Sequence, residues 1–242
     1  VLPRIMDEIL LFLLLLTPIF ILASSPSLSN VKKNYDSLKY SPFDYPVTNA
    51  QIYTAYTDIK SSSFLLNNTS LDEFFSTVVA NDGPHSVPRF DKTVQHPLHP
   101  IPSRNVSATP WDSTNSRTIS LIHTITNPLA PVKECSVSKT QQFFKDATQI
   151  VISTRTKTAG VPGSDAFHVD IIEIAKPLPS DPSTLSIECR YNIKFTSWTS
   201  LKFFINKDAT RDTGLWLRSF YSSLTNFLHD ANEFEIAAKG NL

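Results

Sequence analysis

Two periodicities divide most of this chain into elements. The clearest alternation lies near the C-terminus, where Leu185, Ile187, Cys189, Tyr191, Ile193 and Phe195 interleave with Ser186, Glu188, Arg190, Asn192 and Lys194. That pattern predicts a strand with one dry and one wet face. Residues 117–126 alternate in the same way, with Ile119, Leu121, His123 and Ile125 on one phase. Further extended runs are expected over 132–144, 148–156 and 167–175, and shorter ones over 51–60 and 64–67. Two segments switch to helical spacing. Leu71, Phe74, Phe75, Val78 and Val79 share one face behind Ser70-Leu71-Asp72-Glu73, a capping box in which the serine hydroxyl receives the amide three residues on. Asn81-Asp82-Gly83-Pro84 stops that helix. Over 199–230, Leu201, Phe204, Ile205, Leu215, Trp216, Phe220, Leu224 and Phe227 recur three and four apart. The stripe drifts around the axis, and Gly214 is expected to mark a correcting bend.

Pro84, Pro88, Pro97, Pro100, Pro102 and Pro110 lie between the first helix and Trp111. Such density excludes a continuous helix or a central strand there. The order is therefore helix, proline-rich loop, strands joined by short connections, and one long helix. It predicts an α+β fold in which a curved antiparallel sheet wraps the C-terminal helix. The domain is expected over 51–230, with a tail over 231–242.

The N-terminal stretch follows neither period. Ile9 to Ala23 contains no charge, and as a helix it would span roughly 22 Å, short of the ~30 Å hydrocarbon layer. A membrane anchor extended by its neighbours, a signal peptide ending near Ala23-Ser24-Ser25, and a buried helix all remain open for residues 1–25. Residues 26–50 are rich in Ser, Pro, Asn and Tyr and read as a tether. The sequons at Asn67, Asn68 and Asn105 matter only if the domain is luminal or secreted.

Composition narrows the chemistry. Of 242 residues, 22 are Lys or Arg and 22 are Asp or Glu, so there is no basic excess for general nucleic-acid binding. A 41% hydrophobic content is too high for wholesale disorder. Two cysteines cannot build a disulfide scaffold or a four-cysteine zinc site; Cys135 and Cys189, on separate strands, could pair only in an oxidising compartment and are expected to be two buried free thiols. His96 and His99 sit between prolines without a third ligand, which argues against a metal site. The sequence contains no GxSxG, P-loop, HExxH or GxGxxG motif. A non-enzymatic protein without a cofactor is expected.

A set of short marks carries a family resemblance. Trp111 is followed by Arg117-Thr-Ile-Ser-Leu, then Asn127-Pro-Leu-Ala-Pro with Lys133 and Thr140-Gln141. Next come Val161-Pro-Gly-Ser-Asp-Ala-Phe167, Arg190-Tyr191, Lys194, Trp198, Lys202, Ile205 and Lys207. In order and spacing this resembles the VASt domain, the StAR-related lipid-transfer analog of Aster and Lam proteins at membrane contact sites. The resemblance covers about residues 64–228. It implies a helix-grip fold with a cavity for one lipid, usually a sterol, moved between the endoplasmic reticulum and an apposed membrane, with the domain facing the cytosol. On that fold Ile187, Tyr191, Leu201, Phe204, Ile205 and Trp216 are candidate cavity walls; an ordinary solid core is the alternative. His123 either bonds a sterol hydroxyl or is satisfied by protein. Asp82, Gly83 and Pro84 form either a loop at the cavity mouth or a plain helix stop. Arg190, Lys194, Lys202 and Lys207 either dock on anionic headgroups or make a solvated face. A competing reading is a membrane-tethered scaffold whose interior is plugged by Phe195, Phe203, Phe204 and Trp216.

Overall fold

The computed structural model describes residues 60–93, 101–125 and 132–239. Its strands are β1 (Lys60–Leu66), β2 (Arg104–Ala108), β3 (Ser116–Thr124), β4 (Glu134–Lys145), β5 (Ile150–Ala159), β6 (Phe167–Leu178) and β7 (Asp181–Phe195). They form one sheet in the order β1-β7-β6-β5-β4-β3-β2, antiparallel at every junction. Helix α1 (Leu71–Phe74) runs into a π-helical turn, Phe75–Val79. Helix α2 covers Val87–Thr93, and α3 covers Lys202–Lys239. This is the expected α+β arrangement. The expected strand over 51–60, the histidine pair His96/His99 and the apolar run 9–23 lie outside the described residues, apart from Lys60. Among the described residues no helix is long and apolar enough to cross a membrane.

Local chemistry explains most boundaries. The Ser70 hydroxyl accepts the Glu73 amide at 3.1 Å, as the capping box requires. Asp112 builds the turn into β3 by accepting from the Thr114 and Ser116 amides at 2.8 and 2.9 Å, and Asn115 takes its positive φ of 55°. Asparagine tolerates that region better than most residues. The proline-rich stretch still holds a short helix, because Pro88 sits in the first turn of α2, where its missing N–H is not needed. The same stretch contributes β2 only at the sheet edge. Strand β6 runs through Pro177 instead of ending at Ala175. Its β5 partner finishes at the Ile150–Ala175 pair, so Pro177 owes no ladder bond on that side. Helix α3 starts at Lys202, after the Thr199 hydroxyl takes the Leu201 amide at 3.2 Å, and it continues to Lys239 across the expected tail boundary.

The core lies between the sheet's inner face and α3. Leu185, Ile187 and Cys189 of β7 are wholly buried, and Tyr191 and Ile193 nearly so, as the alternation predicts. From α3, Leu217, Phe220, Tyr221, Leu224 and Leu228 face them. Each such side chain contributes about 1.5–3 kcal/mol on burial. Gly214 has a different role from the expected bend: a Cβ there would stand 2.9 Å from the Tyr191 hydroxyl. The missing side chain lets α3 approach the sheet at that point.

The opposite face of the sheet carries a charge cluster. Arg155 grips the buried Asp170 through Nε and a terminal nitrogen at 2.8 and 3.1 Å. His168 and Lys194 stand 3.5 Å from the same carboxylate. Burial alone would raise the Asp170 pKa, but the bonds from His168 and Arg155 outweigh it and hold the group at about 2.

Candidate functional site

Beside the packed core the sheet and α3 separate, leaving a cavity of about 160 Å³. One wall is the inner face of β3, β4 and β5. Because strand side chains alternate, Thr154, Thr156 and Thr158 all point from β5 into the space. Val137 and Lys139 do so from β4, and His123 from β3. Val169 and Ile171 of β6 continue the wall. The opposite wall is Asp212, Thr213 and Trp216 of α3, with Val87, Phe90 and Asp91 of α2. Ile101, 43% exposed, marks the mouth. An aromatic stack closes the inner end. Trp216 lies parallel to Phe220 at 5.2 Å, and Phe90 meets both edge-on.

One side of this cavity is polar. Lys139 is 7% exposed and its Nζ donates to Asp91 Oδ2 at 2.5 Å. The other Asp91 oxygen accepts the Trp216 indole N–H at 3.1 Å, and the ammonium sits 4.5 Å from the Trp216 ring centre. Both charges are therefore compensated, as burial demands. The Ser103 hydroxyl lies 2.9 Å from His123 Nδ1 at the same wall. A ladder of buried groups continues behind it: the Arg117 Nε donates to Gln141 at 2.9 Å, and Gln141 donates to Thr154 at 3.0 Å. Burial brings the Arg117 pKa down to about 10, while its guanidinium rests 4.2 Å from the Trp111 ring centre. On the core side, the Tyr221 hydroxyl donates to Glu173 at 2.5 Å. Burial pushes the Glu173 carboxyl up to about 7, against the opposing pull of that bond and of Lys139.

The candidate residues from the sequence separate into groups. His123 and Trp216 line the cavity. Ile187 and Tyr191 lie in the packed core. Leu201 and Ile205 instead cover Gly163 in the β5–β6 connection, where an added Cβ would meet their side chains at 3.5 and 3.2 Å. Phe204 is half-buried, edge-on to Phe203 at 5.6 Å. The interior is not plugged by the four expected aromatics: Trp216 forms a wall, Phe203 is 73% exposed, Phe195 leans on Phe167, and Phe204 is not among the lining residues.

Asp82, Gly83 and Pro84 form a tight helix stop. Gly83 donates to the Ala80 carbonyl at 3.1 Å, His85 donates to that of Thr77 at 3.0 Å, and none of the three borders the cavity. Arg190 pairs with Glu188 and Lys194 with Asp170, both on the outer sheet face. Lys202 and Lys207 are exposed on α3. Cys135 and Cys189 are free thiols; Cys189 is buried as expected, whereas Cys135, on β4 near the sheet edge, is only half-buried. No cluster of three or more metal-type ligands occurs among the described residues.

Sequence reading missed Asp91, Lys139 and the threonine row. A signal was present for two of them. Lys139 falls on the dry phase of its strand between Val137 and Gln141, and Thr154, Thr156 and Thr158 repeat every second residue. Asp91 gave none, because its partners lie 48 and 125 residues away.

A curved antiparallel sheet gripping a long C-terminal helix around a cavity is the helix-grip class of fold. Residues 67–212 match the VASt family, the VAD1 Analog of StAR-related lipid transfer domain. The match covers more than half the sequence, and the chain belongs to that family. As a member it is a lipid-binding protein in general terms. No curated protein matches the sequence. Among solved structures, a conserved protein from Geobacillus kaustophilus is similar at 8% identity and a TM-score of 0.38, over 69% of this chain and 95% of that one. A likeness of that strength carries no argument.

Proposed function

We propose that the chain binds a single lipid, a sterol, in this cavity and transfers it between membranes at contact sites. The observation that carries the reading is the two-sided cavity. Val87, Phe90, Val137, Val169 and Ile171 offer an apolar surface, and Lys139, the threonine row and the Ser103–His123 pair offer hydrogen-bonding groups. An amphiphile with one small polar end has that same division. A cavity of this size suits a guest near that of benzene. A whole sterol therefore requires the cavity to widen.

Transport by such a site needs no covalent step. A sterol entering water loses on the order of 10 kcal/mol of apolar burial, at about 25 cal/mol per Å². A protein cavity that replaces the membrane contacts removes most of that barrier. In this reading residues 1–25 anchor the protein in the endoplasmic reticulum, and the domain works on the cytosolic side. The test mixes the purified chain with donor vesicles holding a fluorescent sterol and with acceptor vesicles. Saturable binding and transfer above the protein-free rate are expected; absence of both overturns the proposal. The scaffold alternative predicts neither.

A further inference from the structure

One end of the molecule exposes aromatic rings that the cavity does not use. Trp198 is 86% exposed and Phe203 is 73% exposed. They flank the start of α3, where Leu201 and Ile205 already turn inward to cover Gly163. The tip thus has an inner layer packed on the protein and an outer layer that faces solvent. Large rings held in water without a core to join mark a contact surface. Two lysines stand beside them. Lys202 and Lys207 are exposed on the same turns, and the Lys202 ammonium reaches 5.3 Å from the Phe195 ring centre. Asp208 and Asp212 follow on the same helix, where Arg211 stands 3.4 and 3.0 Å from them.

We propose that Trp198 and Phe203, with Lys202 and Lys207, form the element by which this domain inserts into the headgroup layer of an anionic bilayer. Tryptophan favours that layer because its ring is apolar and its N–H is polar. Lysines beside it meet lipid phosphates. Position gives the surface its use, and this use rests on the lipid-carrier reading above. Thr213, on the cavity wall, lies ten residues beyond Phe203 on α3, roughly 15 Å along the axis. Insertion of the tip brings that wall of the cavity within about 15 Å of the membrane surface.

Trp198 reports on its own surroundings, so the test uses the full chain and does not depend on any other membrane-binding segment. Iodide quenching of tryptophan emission is compared with and without phosphatidylcholine vesicles, alone or containing phosphatidylserine. Parallel vesicles carry brominated acyl chains. With anionic vesicles the iodide-accessible component, absent in Trp198→Phe, becomes protected and is quenched by the brominated lipid. The pair Trp198→Ala, Phe203→Ala lowers sterol transfer about tenfold, while sterol binding measured without vesicles is unchanged. Iodide access that persists on anionic vesicles overturns the proposal. So does protection without bromine quenching, which instead marks a protein contact. Loss of sterol binding in the wild type would overturn the carrier reading and leave the quenching result standing.

Discussion

The two halves of α3 obey one helical period and yet do opposite things. From Leu217 onward, Leu217, Phe220, Tyr221, Leu224 and Leu228 are each at most 5% exposed, pressed on the inner face of the sheet. From Lys202 to Thr213 no side chain is fully buried, and the helix stands off from β4 and β5. The Trp216–Phe220 stack separates the two regimes. The packed half supplies stability; the open half gives up packing and gains room for a guest. A closed void of 160 Å³ costs about 4 kcal/mol at ~24 cal/mol per Å³, an upper figure for a cavity that opens to solvent. That sacrifice is tolerable only because the other half is dense.

Substitutions in the two regions sharpen this contrast. The largest stability effect is expected at the junction. Lys139→Met strands the buried Asp91 and costs about 3–5 kcal/mol in urea unfolding, whereas Lys139→Met with Asp91→Leu recovers most of the loss. Equal instability of the single and double variants would show that the pair's charge is not what matters.

Leu224→Ala, in the packed half, costs about 2–5 kcal/mol. It is expected to leave the affinity for sterol intact at temperatures where the variant is folded, as read by a fluorescent-sterol titration. Glu173 then tests burial beneath the cavity through pH. Its folded pKa of about 7 lies above the ordinary 4.5, so the folded state retains the proton longer than the unfolded chain does. Its stabilising contribution is complete below pH 4.5 and is lost as pH rises to 7, by about 3 kcal/mol. Glu173→Gln keeps an acceptor for Tyr221 and never ionises. Urea midpoints for the two proteins should differ more at pH 7.5 than at 4.5, with the variant the more stable; parallel profiles would contradict the assignment. The smallest effect belongs to Gly214→Ala, about 1–3 kcal/mol from crowding the Tyr191 hydroxyl. Adding Tyr191→Phe removes that oxygen and should restore most of the melting temperature.

What the sequence revealed was local. The dry face of β7 and the Ser70 cap each depend on a few neighbouring residues, and both appear in the structure as read. The β1–β7 pairing depends on two segments far apart, and no alternation records which partner a strand will take. The cavity was legible least of all. A wall and a core draw on the same residue types, so Ile187 and Trp216 look alike in a stripe although one is sealed and the other faces open space. The clue that did exist was polarity on a dry phase, at Lys139 and the alternate threonines of β5. It becomes readable only once Asp91 is seen to arrive from α2 and compensate the charge.

The central claim is that the open half of α3 holds one guest lipid, and Val137→Trp tests it most directly. Val137 is 5% exposed and lines the cavity, so the added rings enter existing space. Titration of the wild type with fluorescent sterol, without vesicles, should saturate at one sterol per chain. The variant should keep its melting temperature and lose binding about tenfold or more. Equal sterol binding by a folded Val137→Trp protein would contradict the account.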